Sequence, residues 1–249
     1  MLPLSVAIIS YNEEKNLPRC LKSIQGLAKE VIVLDAGSTD STVALAQQCG
    51  ATVYHQPWLG YRDQKNKALH YCTQPWVLSL DCDEELSPEL KESIFSFFQQ
   101  GWADRFSGAS FHRCTWFLGR WIRHGDWYPD TTLRLFRRQQ GYWVEPIHEK
   151  IVLQGEVTLL QGDLRHYSFP SIKSYIDKIY PFAEEFFQKQ PTRKWSLLAN
   201  LSRPLWRFFR AYVLRGGFLD GFPGLWIALA TAFSVFVRYS RSYQREQED

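Results

Sequence analysis

Cysteine and methionine are scarce, at five Cys and one Met in 249 residues. Cys20, Cys49, Cys72, Cys82 and Cys114 are odd in number, scattered and without a CxxC pair. That excludes a disulfide scaffold and a thiolate zinc site as organising features. There is no GxGxxG, so the ordinary dinucleotide fingerprint is missing, and no GxxxxGK[ST], which excludes a P-loop. No internal repeat or low-complexity linker interrupts the chain. The opening MLPLSVAIISYNEE lacks a basic leader region and a small-residue cleavage site. It reads as a first core strand, so the catalytic part is expected in the cytoplasm. A long apolar run is also lacking. Phe222–Val237 is 16 residues without a charge, short of the roughly 18–20 that span a bilayer, and Pro223 and Gly224 shorten its usable helix.

Aromatic residues, by contrast, make up 16% of the chain, with 10 Trp, 12 Tyr and 17 Phe. Such an excess suits sugar stacking, an interfacial surface or a large core. The net charge of +3 is small but unevenly spread: residues 1–100 hold 8 Lys and Arg against 12 Asp and Glu, and residues 101–249 hold 21 against 14. The second part should face something anionic. This length suits one large α/β domain with an appendage, here a domain over 1–190 and a tail over 191–249.

The first hundred residues alternate in a βα rhythm. Strands are expected at Leu4–Ser10, Glu30–Asp35, Ala51–His55 and Pro75–Leu80. Helices are expected at Lys15–Gln25, at Thr39–Cys49 with Ser38 or Thr39 as cap, at Asp63–Tyr71, and from Ser87-Pro88-Glu89 to about Phe98. These elements imply a mostly parallel sheet covered on both faces. Ligands bind such sheets at the carboxyl ends of the strands, where Asn12, Asp35 and Asp81 all lie. Beyond residue 100, strand-like alternation marks Phe106–Cys114, Thr132–Arg137 and Leu160–Tyr167, Trp143–Glu149 and Ile151–Leu153 read as the continuation of a mixed sheet or as large loops, and Ser171–Phe187 reads as a helix.

The segment with most chemical content is Leu78-Ser79-Leu80-Asp81-Cys82-Asp83-Glu84-Glu85, where an apolar strand ends in four carboxylates within five residues. Such a cluster repels itself unless something positive sits in it. Oxygen ligands suit Mg²⁺ or Mn²⁺, and the cation would in turn hold phosphate. In such a pair one aspartate reaches the sugar or ribose and the other holds the cation, while Glu84 and Glu85 could cap the next helix. Asp35-Ala36-Gly37-Ser38-Thr39-Asp40 offers a tight turn and a carboxylate for a base or ribose. Tyr11, Asn12 and Glu13 close the first strand, where Asn12 and Glu13 can contact a nucleotide or cap the following helix. Arg62, Lys65 and Lys67 stand ready to offset diphosphate charge. A sugar transfer needs a base for the acceptor hydroxyl. Glu149, in His148-Glu149, and Asp130, in Gly125-Asp126-Trp127-Tyr128-Pro129-Asp130, are rival candidates. Trp127, His148 and His166 are weaker candidates for acceptor or phosphate contact.

Four stretches, SVAIISYNEEKNLPRCLKSI, EVIVLDAGSTDST, GYRDQKNKAL and WVLSLDCDEELSPEL, resemble the inverting family 2 glycosyltransferases, which have a GT-A fold. WIRHGDWYPDTTLRLFRR, VEPIHEKI, LLQGDLRHYSF and GGFLDGFPGLWIAL resemble a narrower branch, the lipopolysaccharide core β-1,4-glucosyltransferases. The resemblance implies a nucleotide-binding half to about residue 100 and an acceptor-binding half over about 101–190. It implies that Asp35 contacts the base, Asp81 the donor's ribose or sugar with Cys82 beside it, and Asp83 a divalent cation on the diphosphate of a UDP-sugar. It places an acidic base late in the domain, with Glu149 the nearest position. The QxxRW motif of processive relatives is absent, which favours transfer of a single hexose. A nucleotidyltransferase is the competing class, but Ser10-Tyr11-Asn12-Glu13 stands where its Gly-rich loop belongs. A non-catalytic domain would have no need of Asp35, Asp81 and Asp83.

From Arg193 to Arg215 there are six basic residues and no acidic one, with aromatics among them. Followed by a short apolar helix closed by Arg238 and Arg241, this pattern fits an element lying in a membrane interface. Arg203, Arg207, Arg210, Arg215 and Trp226 would meet an anionic surface on the cytoplasmic face of the inner membrane, close to a lipid-linked saccharide acceptor. A subunit contact or a core-closing helix pair is the alternative. No nucleic-acid partner is implied.

Overall fold

The structure is a computed structural model that describes residues 1–145, 150–188 and 195–248. It contains two compact units, Met1–Arg113 with Asp130–His166, and Cys114–Pro129 with Tyr167–Asp249.

In the first unit the βα rhythm is realised as β1 (Leu2–Ser10), α1 (Leu17–Ser23), β2 (Ala28–Asp35), α2 (Thr42–Gln48), β3 (Thr52–His55), α3 (Tyr61–Tyr71) and β4 (Trp76–Asp81). The four strands run parallel in the order β3-β2-β1-β4. Alternation along β1 explains why both faces need cover. Leu4, Val6 and Ile8 enter one core with Leu17, Leu21, Leu78, Leu80, Ile94 and Phe97, and Ala7 enters another with Ile32, Leu34, Ala68, Val77 and Phe136.

The remaining elements are β5 (Glu84–Leu86), α4 (Pro88–Gln99), α5 (Trp102–Arg105), β6 (Gly108–Phe117), β7 (Arg120–Trp121), β8 (Asp130–Arg137), β9 (Gly141–Val144), β10 (Lys150–Leu153) and β11 (Val157–His166). β8 joins β4 antiparallel and the sheet continues through β6 and β11 to β5. The sheet is therefore mixed, parallel in its first four strands and continued by antiparallel ones, as the change of rhythm after residue 100 implies. Ser87 caps α4 as expected, its Oγ accepting the Leu90 N–H at 3.2 Å. Glu84 and Glu85 do not cap it, because they form β5 opposite His166 and Arg165. Nor do Ser38 and Thr39 cap α2. That helix begins after Ser41, and the Ser38 hydroxyl is bonded to Asp35 instead.

In the second unit, α6 (Ile172–Gln188), α7 (Leu197–Phe209) and α8 (Gly221–Glu248) follow the β6–β7 hairpin. Phe117, Ile122 and Ile227 form its core, with Trp127, Phe169, Ile172 and Trp226 packed against them. α8 is 28 residues long, against the shorter run expected. Pro223 falls in its first turn, where the missing N–H has no helical partner to lose. Gly224 is needed for close approach: a Cβ there would stand 1.9 Å from the Gly217 carbonyl oxygen. Among the described residues this is the one helix long and apolar enough to cross a membrane, judged by length and composition.

Candidate active site

β1 is flanked by β2 on one side and β4 on the other, so the chain changes winding direction between β1 and β4. The carboxyl ends of neighbouring strands at such a point form a natural crevice. Register places Ser10 opposite Asp35 and Ile9 opposite Asp81.

Asp35 is 2% exposed and bound on every side. Its Oδ2 accepts the N–H groups of Gly37 and Ser38 at 2.8 Å, and its Oδ1 accepts the Ser10 hydroxyl at 3.1 Å. Burial opposes ionisation, yet these hydrogen bonds outweigh it and hold the carboxyl below its usual range. Asn12 adopts a left-handed conformation, φ 55°, which Asn tolerates. Its N–H donates to Ser38 Oγ and its Oδ1 accepts the Thr39 N–H, both at 2.8 Å. The loops after β1 and β2 are thereby stitched together. Glu13 donates its N–H to Thr42 Oγ1 and accepts from Asn16 Nδ2, both at 2.8 Å. Burial pushes its carboxyl up, reinforced by Asp83, Asp40 and Asp81. Tyr11 is exposed.

The acidic turn proves largely neutralised from within. Lys65 Nζ lies 2.9 Å from Asp81 Oδ1. Arg134, 3% exposed, bridges Asp81 Oδ2 at 2.9 Å and Glu84 Oε1 at 2.7 Å. Glu84 also accepts the Asp81 N–H at 3.0 Å. Glu85 pairs with Arg165 at 3.1 Å and Arg19 at 3.4 Å. Burial opposes ionisation of Asp81, but Lys65 and Arg134 hold its carboxyl well below the ordinary range. Asp83 is different. It is a quarter exposed and meets His166 Nε2 at 3.3 Å. The self-repulsion argued from sequence is thus answered by protein cations at three of the four carboxylates.

Other expected residues are placed differently. Arg62 forks onto its neighbour Asp63, with both contacts at 2.8 Å, rather than onto the acidic turn. Lys67 lies over the Tyr71 ring. The Cys82 thiol is buried and donates to the Ile9 carbonyl at 3.1 Å, and burial raises it far above its usual value. Any donor contact at this position therefore runs through its backbone. Asp130 opens β8 with its Oδ2 held by Arg113 at 2.6 and 2.8 Å. His148 and Glu149 lie outside the described residues. Trp127 stacks on Phe169 with centroids 5.3 Å apart, inside the second unit's aromatic cluster. Trp226 packs there too, half-buried and 5.2 Å from Phe117. Arg203 lies over the Tyr239 ring, while Arg207, Arg210 and Arg215 converge on Asp126.

Three residues have roles here that the sequence does not show. Arg134, which the sequence offers only as an ion-pair partner for Glu149, lies on the strand paired with the one that carries Asp81. Asn66 clamps Trp143 through both backbone groups, Nδ2 to its carbonyl and Oδ1 from its N–H, each at 2.9 Å. Trp143 in turn lies under Lys65, 4.5 Å from ring centre to Nζ.

The family model described as "Glycosyl transferase family 2" matches residues 5–154. The chain belongs to this family. It is a glycosyltransferase with a GT-A fold. It is 31% identical over 253 residues to an uncharacterized glycosyltransferase of Rickettsia typhi, covering 97% of this chain and 87% of the relative. To the lipopolysaccharide core biosynthesis glycosyltransferase LpsC of Rhizobium meliloti it is 30% identical over 254 residues, covering 98% and 93%. Among solved structures, the mannosyltransferase PcManGT of Pyrobaculum calidifontis, in complex with GDP-Man and Mn²⁺, matches with a TM-score of 0.59. At 13% identity over 97% of this chain and 87% of that one, the likeness concerns the fold. Within this family frame, the crevice at β1, β2 and β4 is the candidate donor site.

Among the described residues no three His, Cys, Asp or Glu side chains form a metal-holding group. Mg²⁺ is commonly held by one or two carboxylates, with substrate phosphates and water completing the shell. Asp83, partly exposed, fits as such a carboxylate, with His166 3.3 Å away beside it.

Proposed function

We propose that this glycosyltransferase moves one hexose, with inversion, from a UDP-sugar, most simply UDP-glucose, to a hydroxyl of a lipid-linked envelope saccharide such as the lipopolysaccharide inner core. The observation that carries the donor side is the division of labour in the acidic turn. Asp81 is occupied by Lys65 and Arg134, so it orients and accepts from sugar or ribose hydroxyls, while Asp83 keeps a free edge beside His166. Asp35, ionised and fixed by Ser10, Gly37 and Ser38, accepts from the base. Trp143 Nε1 and Arg134 Nε are buried donors with no hydrogen-bond partner among the described residues, which suits a site completed by an anionic ligand. A divalent cation held by Asp83, with His166 beside it, would offset charge on the departing diphosphate. Lys65 and Arg134 offset the turn's negative charge so that an anionic ligand can approach it. Glu149 or Asp130 takes the proton of the attacking hydroxyl. Attack is direct, so no enzyme nucleophile is required.

The acceptor side rests on the 30% identity to LpsC over nearly the whole chain and on the second unit. Leu198, Leu205 and Phe222 are 78%, 70% and 65% exposed there. Apolar surface of this kind marks an interaction face, and peripheral attachment at the cytoplasmic side of the inner membrane is the reading we favour. The test is release of UDP from a panel of UDP- and GDP-sugars, with metal and with EDTA. The proposal expects metal-dependent release from UDP-glucose or another UDP-hexose. Release only from GDP-sugars, or undiminished release in EDTA, would overturn it.

A further inference from the structure

The second unit contains a charge arrangement that the sugar-transfer chemistry does not use. Asp126, in the 3₁₀ turn Gly125–Trp127, has a side chain only 1% exposed. Arg207 Nε lies 2.6 Å from its Oδ2. Arg215 Nη1 and Arg210 Nη2 lie 3.1 and 3.8 Å from its Oδ1. A backbone hydrogen bond from Gly125 N–H to the Arg215 carbonyl, at 2.9 Å, ties the turn to the π-helical segment Arg210–Leu214 that follows α7. Among the described residues no second carboxylate lies within ion-pair distance of these guanidinium groups. One arginine would neutralise Asp126, and two positive charges are therefore left over. All three side chains remain between 34% and 44% exposed.

Apolar side chains share the same segment. Trp206, Phe209, Leu214 and Phe218 are each exposed by 45% or more. α7 and α8 also frame an open apolar groove of about 380 Å³, lined by Leu201, Leu205, Phe208, Leu229, Phe233 and Phe236. A surplus of guanidinium donors suits phosphate, which they bind bidentately. Exposed apolar surface on the same helices suits the chain that carries the phosphate. A second copy of this protein is a poorer occupant, because residues 193–215 hold six basic residues and no acidic one, and two such faces repel.

We propose that Arg207, Arg210 and Arg215 form a receptor for a phosphate group carried on a membrane lipid, whose apolar tail lies along the exposed faces of α7 and α8. The inference rests on the reading of a lipid-linked acceptor and adds a recognition element to it. Asp126 gathers the three guanidinium groups and hydrogen-bonds Arg215, so that less ordering is left for binding.

The test is co-flotation of the full chain with vesicles of phosphatidylcholine alone, with added phosphatidic acid, or with phosphatidylglycerol at matched total charge. Phosphatidic acid, which exposes a phosphate monoester, should bind best. Arg210→Gln with Arg215→Gln should weaken that binding about 25-fold, at about fivefold per basic residue, and abolish the preference over phosphatidylglycerol. Asp126→Asn, which adds a net positive charge but removes the orienting carboxylate, should keep or raise binding to both anionic vesicles and lose the preference for phosphatidic acid, provided circular dichroism shows it folded. The arginine variants carry the test if it does not. Wild-type protein that ignores all vesicles overturns the proposal, as does a folded double variant that keeps the preference. Full displacement from phosphatidic acid by millimolar inorganic phosphate would mean that a free anion is the ligand, and would also overturn it. UDP binding, measured on the same preparations, separates these failures from failure of the glycosyltransferase reading, which concerns the first unit.

Discussion

Replacing Arg134 with Met removes the cation shared by Asp81 and Glu84 while keeping an apolar side chain in the space. Glu84 is fully buried, and its nearest remaining cation would be Arg113 at 3.9 Å. Asp81 would keep Lys65 at 2.9 Å. Removing one partner of a buried ion pair costs about 3–5 kcal/mol. Because Lys65 remains, the lower end, about 3 kcal/mol, is expected at pH 7. The sign of the pH dependence follows from Asp81. Its folded pKa is lowered, so its contribution is complete above the unfolded value, about 3.9, and is lost as pH falls through the folded value. The gap between wild type and Arg134→Met should therefore be constant from pH 7 to about 5 and narrow below about pH 4. Urea unfolding, followed by tryptophan fluorescence and by circular dichroism to test for coincident transitions, measures it. Arg134→Lys, which keeps the charge but loses the fork, should fall between the two. A loss below 1 kcal/mol at pH 7, or a gap unchanged at pH 3, would refute the electrostatic account of the turn.

Asp83→Ala should leave stability within about 0.5 kcal/mol of wild type, as expected for a partly exposed side chain, yet abolish the metal dependence of UDP binding seen by calorimetry. Glu149→Gln should lower kcat by 10²–10⁴-fold, the usual cost of losing a general base, with donor affinity unchanged. If it is near wild type and Asp130→Asn is inactive, Asp130 is the base. Asp35→Ala removes the acceptor for Ser10, Gly37 and Ser38. It should cost about 1–3 kcal/mol and weaken nucleotide binding, read by thermal melts with and without UDP.

The parallel half of the sheet was legible because buried strands leave long apolar runs, and Leu4–Ser10, Glu30–Asp35 and Pro75–Leu80 were located to within two residues of their ends. Asp35 and Asp81 are legible as candidates because they terminate such runs, and Asp83 because it lies two residues beyond. What sequence could not show was pairing. Lys65 is 16 residues from Asp81 and Arg134 is 53, so the cations that neutralise the acidic turn are brought in by α3 and β8. The same limit hid Asp126. Read along the chain, Arg207, Arg210 and Arg215 look like a basic face for an anionic surface, and the buried carboxylate that gathers them lies more than 80 residues away. α8 reads as short in the sequence because Pro223 and Gly224 usually mark a helix boundary, whereas here Pro223 sits in the first turn and Gly224 makes room for Gly217.

The central claim is transfer of one hexose from a UDP-sugar to a lipid-linked saccharide, using Asp83. Its most direct test is mass spectrometry of isolated envelope glycolipids after incubation with the enzyme, UDP-glucose and Mn²⁺. The account predicts a glycolipid species heavier by a single hexose, absent with Asp83→Ala. Consumption of UDP-glucose with no mass gain in any lipid fraction, or the same product from Asp83→Ala, would contradict it.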